Sequence, residues 1–156
     1  MKILIAFYSR TMRTERVAQQ INNALEGSTL IKIRTPKRVG FLRGIMDSIK
    51  VRDAEIDPIS SAVDPRAFDL VIACGPVWAS HISSPMRAFL RKHSQGVRAF
   101  AFVETHGASK GDFPEVFKEM GELTGQTPAA TLSLMPTAPD SGDQVNAFIE
   151  EIRKLG

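Results

Sequence analysis

The chain has 156 residues, 43% of them hydrophobic and 24% charged, an ordinary balance for one soluble globular domain with one core. No apolar run is long enough to span a bilayer, and a single cysteine, Cys74, excludes an internal disulfide and fits a reducing cytoplasm. The formal net charge is +3, but little aromatic interleaving accompanies it and no recognition-helix or zinc pattern appears, which argues against nucleic acid as a partner.

Met1-Lys2-Ile3 reads as a mature start that enters a strand directly, without the n-region and h-region of a secretory signal. The expected location is therefore cytoplasmic. The first strand-like run is Lys2–Tyr8. Ser9-Arg10-Thr11-Met12-Arg13-Thr14 follows at once and leads into a helical pattern, Glu15–Leu25, with Val17, Ile21, Ala24 and Leu25 on one stripe. Three hydroxyls and two guanidiniums within six residues, ahead of a helix N-terminus, suit a dianionic phosphate. The plainer alternative is a capped helix start in which Thr11 or Thr14 satisfies its own backbone. The loop is not a Walker A sequence, because the glycines and the Gly-Lys-Ser/Thr ending are missing.

A second strand is expected at Ser28–Arg34. Lys32, Arg34, Lys37, Arg38, Arg43, Lys50 and Arg52 then gather within twenty-one residues, opposed only by Asp47. This cluster reads first as a solvated basic face and second as a docking surface for an acidic partner or an anionic ligand. Within it, Phe41, Leu42, Ile45, Met46 and Ile49 recur at helical spacing. That predicts a helix over Gly40–Ile49, with Phe and Met at this spacing read first as core and second as a cofactor contact. Arg52–Pro65 reads as a surface loop.

The third strand, Leu70–Cys74, is apolar on both faces, and Gly75-Pro76 is expected to break it and stiffen the loop through Val77, Trp78, Ala79, Ser80 and His81. Trp78 can stack on a planar ring or cover the core edge; His81 can donate a hydrogen bond or a proton, or simply be solvated. Cys74, closing a buried strand, reads as a small apolar filler. A helix over Ser84–Lys92 opens with Pro85 and turns Met86, Phe89 and Leu90 inward. Arg98–Glu104 is the fourth strand, and Thr105-His106-Gly107-Ala108-Ser109-Lys110-Gly111 is a glycine-containing loop whose amides can reach a flat heterocycle. Phe113–Leu123 and Gln144–Leu155 are helical, with Asp112 and Asp143 as N-caps, and Ala130–Leu134 is the fifth strand. The three histidines lack metal-ligand spacing, and no nucleophile elbow occurs. Alternating strands and helices predict a doubly wound parallel α/β sheet, whose ligands gather at the carboxyl edge of the strands.

Three segments together resemble the flavodoxin family. Ile3–Ala18 is similar to that family's first strand, phosphate loop and first helix. Asp69–Ala79 looks like its third strand and first flavin-flanking loop, followed by a helix at Pro85–Leu90. Phe102–Gly107 resembles its fourth strand and second flavin-flanking loop. The resemblance covers most of the chain, with residues 35–66 the weakest part. It implies a single flavodoxin-like domain over residues 1–156, a three-layer α/β/α sandwich on a five-stranded parallel sheet of order 2-1-3-4-5. It also implies non-covalent FMN and electron transfer. Ser9, Thr11 and Thr14, with the amides of Arg10, Met12 and Arg13, would hold the phosphate. Pro76, Val77, Trp78 and Ala79 would flank one side of the isoalloxazine, and Thr105, His106 and Gly107 the other, with Gly111 nearby.

Two departures stand out. Met12 occupies a position where the family usually has glycine, so a positive φ there would cost roughly 1–2 kcal/mol; Arg13 offers compensation by pairing with phosphate. The chain is also basic where many flavodoxin shuttles are acidic, which implies a redox partner with an acidic surface. Two alternatives accompany the electron-transfer reading. One is an NAD(P)H-dependent quinone or FMN reductase of the same fold. The other is an interaction module that has lost FMN.

Overall fold

The computed structural model describes residues 1–59, 62–107 and 113–156. Five strands form the main sheet: β1 (Ile3–Phe7), β2 (Thr29–Lys32), β3 (Leu70–Trp78), β5 (Phe100–Thr105) and β6 (Thr131–Leu134). They are parallel and lie in the order β2-β1-β3-β5-β6. This is the expected 2-1-3-4-5 order. A two-residue strand, β4 (His81–Ile82), is added antiparallel to the end of β3.

The two faces follow from the period-2 geometry of a strand. Ile3, Ile5, Phe7, Ile72, Cys74 and Val103 point to one side, where α1 (Arg13–Ala24) and α5 (Ser141–Arg153) cover them with Val17, Ile21, Phe148 and Ile152. Leu4, Ala6, Val71, Ala73, Phe100 and Phe102 point to the other side, beneath α3 (Ser84–His93) and α4 (Pro114–Thr124), which contribute Met86, Phe89, Leu90, Val116 and Met120. Cys74 is buried, and burial pushes its thiol pKa up, so it serves as an inert filler.

Several expectations change. The predicted break at Gly75-Pro76 does not occur, and β3 runs on to Trp78. Gly75 and Pro76 stay in register with Glu104 and Thr105 of β5, after which Val77 and Trp78 pair with β4. Pro76 has no N–H to give, but its carbonyl accepts from the Ser83 amide at 3.0 Å. Gly75 is there for close approach: a Cβ would stand 2.9 Å from Ile82 Cδ1 and 3.1 Å from Met86 Cβ.

Asp143 is not an N-cap. Helix α5 begins earlier, at Ser141, and Asp140 precedes it, leaving Asp143 in the first turn, where its charge still favours the helix dipole. The Asp112 cap lies outside the described residues. Residues 52–59 and 62–64 form no helix or strand, yet Ile56, Ile59 and Val63 pack against the core, so this loop also covers apolar surface.

The largest change concerns α2 (Phe41–Ile49). The helix forms as predicted, but Phe41, Leu42 and Met46 and Ile49 face solvent, with Ile45 half-buried. Its buried face consists of Gly44 and Ser48. Gly44 lies against the Trp78 ring, where a Cβ would come within 2.9 Å of Cζ3. Small residues therefore allow the close approach, and the large ones are left outside.

Candidate functional site

At the carboxyl edge of β1, β3 and β5 lies a cavity of about 330 Å3, within the size range of small-molecule sites. The first loop lines it with Arg10, Thr11, Arg13 and Thr14. The end of β3 adds Pro76, Val77 and Trp78, and the loop after β5 adds Thr105, His106 and Gly107. Phe41 of α2 and Pro136, after β6, complete the wall. Neither was anticipated as a site residue. Phe41 matched a core-facing stripe, and Pro136 carried no sequence signal beyond following a strand.

The remaining candidates fall nearby or elsewhere. Ser9 lines an adjoining cavity of about 400 Å3 with Tyr8, Arg10, Lys32, Arg34 and Arg38. Met12 stands at the head of α1 with its side chain exposed. Ala79 lies at the hairpin tip, exposed. Gly111 lies outside the described residues.

The first loop is shaped by Met12, which holds φ 65° and ψ −3° as the residue preceding α1. This is the left-handed region that glycine prefers, and a methionine there costs about 1–2 kcal/mol. Met12 gives α1 no side-chain cap, and among the described residues no hydrogen bond from Thr11 or Thr14 satisfies the helix start. The first-turn amides, which have no intrahelical acceptor, keep their hydrogen-bonding capacity for a ligand. The Thr14 hydroxyl instead bonds the Thr105 hydroxyl at 2.8 Å, buried, tying the first loop to the end of β5. The Ser9 hydroxyl is buried without a hydrogen-bond partner among the described residues, an arrangement that is unfavourable unless something else supplies one. Arg13 reaches across the cavity, its Nη1 3.7 Å from where a Gly107 Cβ would sit. The Arg10 guanidinium lies 5.2 Å from the centre of the Phe41 ring, within cation–π range.

Trp78 is held on two sides. Gly44 backs one edge of its ring, and Tyr8 meets it in a T-shaped contact at 5.7 Å. Burial raises the Tyr8 pKa, and the charges of Arg10 and Arg38 oppose that rise, so the phenol stays neutral at physiological pH. The hairpin carrying Trp78 turns through Ala79 (φ 49°) and Ser80 (φ 62°), the pair of positive φ values that a tight two-residue hairpin requires, here without glycine.

A network the sequence did not reveal pins this hairpin. Arg87 of α3 is fully buried, and its Nε donates to Glu119 Oε1 at 2.7 Å. Glu119 Oε2 accepts from the Ile82 amide at 3.1 Å and contacts His81 Nδ1 at 3.3 Å. Arg87 also donates to the carbonyls of Arg52 and Ile82. Thirty-two positions separate Arg87 from Glu119, and only the adjacency of α3 and α4 brings them together. His81 thus binds α4 through Glu119 and is not among the residues lining the 330 Å3 cavity. His106 packs on Phe113 at 5.0 Å, and its amide donates to the Leu134 carbonyl at 3.0 Å. Among the described residues, no group of three or more His, Cys, Asp and Glu is gathered to hold a metal, and no helix is long and apolar enough to cross a membrane.

Solved structures place this architecture. A flavoprotein from Lactobacillus acidophilus, determined in complex with FMN, aligns over 94% of this chain and 97% of its own with a TM-score of 0.75 at 18% identity. The fold is flavodoxin-like. The Streptococcus pneumoniae TIGR4 flavodoxin covers 100% of both chains with a TM-score of 0.67 at 14% identity, and an archaeal flavodoxin covers 99% of both at 0.63 and 16%. No protein-family model matches the sequence, and no curated protein matches it.

Proposed function

We propose that this flavodoxin-like chain binds FMN non-covalently and transfers electrons. The observation that carries the reading is the convergence of three loops, separated by about thirty to sixty positions, on one cavity whose first loop has an uncapped helix start and an orphaned buried hydroxyl. These groups fit a phosphate: Ser9, Thr11 and Thr14 with the amides of Arg10–Thr14 hold it, and Arg10 and Arg13 offset its charge. Pro76, Val77, Trp78 and Ala79 flank one side of the ring system, and Thr105, His106 and Gly107 lie on the other. Bound FMN supplies reversible one- and two-electron chemistry, which no side chain of this chain provides. The protein contributes an aromatic wall, exclusion of water and fixed positive charge. A partner with a negative surface suits the cationic 32–52 segment.

The left-handed backbone at Met12 is already held in the folded chain, so its cost falls on folding and not on binding. Absorbance spectra and FMN calorimetry of the purified chain test the proposal. Flavin bands and saturable one-to-one binding are expected, and a colourless protein with no heat of binding sinks it. Potentiometric titration of the loaded protein then tests electron transfer.

The second cavity favours a further reading, an NAD(P)H-dependent quinone or FMN reductase. Arg10, Arg34 and Arg38, with Lys32 paired to Glu15 and one acid, Asp57, in the same lining, leave a net positive charge that suits a nucleotide phosphate close to the first site. Steady-state NAD(P)H oxidation with a quinone separates this enzyme from a shuttle, and absence of turnover with every acceptor counts against it.

A further inference from the structure

The exposed large hydrophobic side chains of this molecule are unevenly distributed. Phe41, Leu42, Met46, Ile49 and Val51 each expose between 47% and 77% of their surface, and all five belong to α2 or the residues just after it. A contiguous apolar surface on an otherwise ordinary chain marks an interaction site. At 3.6 residues per turn, Leu42, Met46 and Ile49 fall within a sector of about 60°. Lys50 and Arg43 border that sector on one side, about 40–60° from Met46. Half-buried Ile45 borders the other side, and Phe41 beyond it lines the 330 Å3 cavity.

The surroundings are cationic on balance, with Asp53 and Glu55 the exposed acids just beyond them and Asp53 paired to Arg91. Lys37 and Arg38 precede the helix, and Arg43, Lys50 and Arg52 follow on or after it, all exposed. Asp47, the only acid in residues 32–52, sits beside Arg43 at 3.6 Å.

We propose that the outward face of α2 docks this protein reversibly on an anionic lipid bilayer, with Leu42, Met46 and Ile49 entering the acyl boundary and the flanking Lys and Arg residues at the headgroups. An amphipathic helix edged by a cluster of Lys and Arg is the recognised form of such a surface. Charge selects this occupant over a second copy of the chain, since face-to-face pairing would bring two cationic sets together. Shape selects it over a globular protein. Leu42, Met46 and Ile49 project outward from the helix, and lipid accepts a projecting side chain without a matching pocket. With α2 on the bilayer, the cavity edge formed by Phe41 lies next to the membrane, where a lipid-soluble electron acceptor would meet it.

Flotation of the full-length protein, supplied with FMN, on vesicles of phosphatidylcholine alone or mixed equally with phosphatidylglycerol tests the proposal. At low salt, roughly tenfold more protein is expected on the anionic vesicles, and high salt should reduce the difference. The double variant Leu42→Ser/Ile49→Ser, which leaves the net charge unchanged, should lose that binding roughly tenfold while keeping its unfolding midpoint, because both side chains are already exposed. Arg43→Glu/Lys50→Glu should lose it as well. Lys118→Glu, a charge reversal on distant α4, should change it less than about twofold. Three results overturn the proposal. One is equal binding to both vesicles. Another is anionic binding that survives Leu42→Ser/Ile49→Ser, which reduces the effect to adsorption by net charge. The third is a chain that ignores vesicles but forms a dimer that the same double variant disrupts. Vesicle binding is read without reference to the flavin, so failure to retain FMN leaves this test standing.

Discussion

Helices α1 and α2 both follow a strand of the sheet and both carry an apolar stripe, yet they use it in opposite ways. α1 turns Val17, Ala18 and Ile21 onto the sheet and exposes its polar side. α2 buries Gly44 and Ser48 and exposes Phe41, Leu42 and Met46. The difference lies in what each helix packs against. α1 covers a row of Ile and Phe side chains that leaves room for large partners. α2 rests on the Trp78 ring, which fills that space itself and admits only a glycine. An apolar stripe therefore predicts a helix more reliably than it predicts which side is inward.

The sharpest test of this contrast is truncation in each stripe. Ile21→Ala should destabilise the fold by about 3 kcal/mol in urea unfolding, whereas Leu42→Ser should stay within about 0.5 kcal/mol. Comparable losses at the two positions would mean that α2 is packed in solution. Next in size is Gly44→Val. Its branched side chain must displace Trp78, so a loss of about 2 kcal/mol and a shifted Trp78 fluorescence maximum are expected. An unshifted spectrum would show that α2 does not lean on that ring.

The head of α1 offers a smaller effect. Met12→Gly relieves the left-handed backbone and should stabilise the chain by up to about 1 kcal/mol, while FMN affinity should change less than about twofold because the loop already holds that conformation. If FMN binds only to the variant, the reading as a module that has lost its cofactor gains over the electron-transfer reading. The smallest effect concerns half-buried His93, the last residue of α3. Burial, followed by the charge of Lys92, lowers the His93 pKa despite Asp64. Because the folded value lies below the unfolded value of about 6.5, this contribution is present above that pH and fades as the pH falls through the folded value. His93→Gln should flatten the stability profile between about pH 7 and 5, measured by urea midpoints at each pH.

The order of elements was legible because buried parallel strands read as continuous apolar runs and their helices as 3.6-residue stripes. The three loops were legible because they must follow strands, and strand ends share one edge. Phe41 and Pro136 escaped because a cavity wall has no periodic signal. Arg87 and Glu119 escaped because a buried ion pair is a contact between positions far apart in sequence, each of which alone reads as a solvated charge.

Local chemistry by itself determined the strands, the helices, their layers and the polar loop that opens α1, since each depends on hydrophobic period and short-range backbone preference. The tertiary structure alone decided that β3 continues through Pro76, that Met12 adopts φ 65°, and that the apolar face of α2 looks outward. Each of those depends on what stands across from the residue: β4 and Ser83 for Pro76, the strand-to-helix junction for Met12, and the Trp78 ring for Gly44. Such neighbours are supplied by the fold, and no window of sequence contains them.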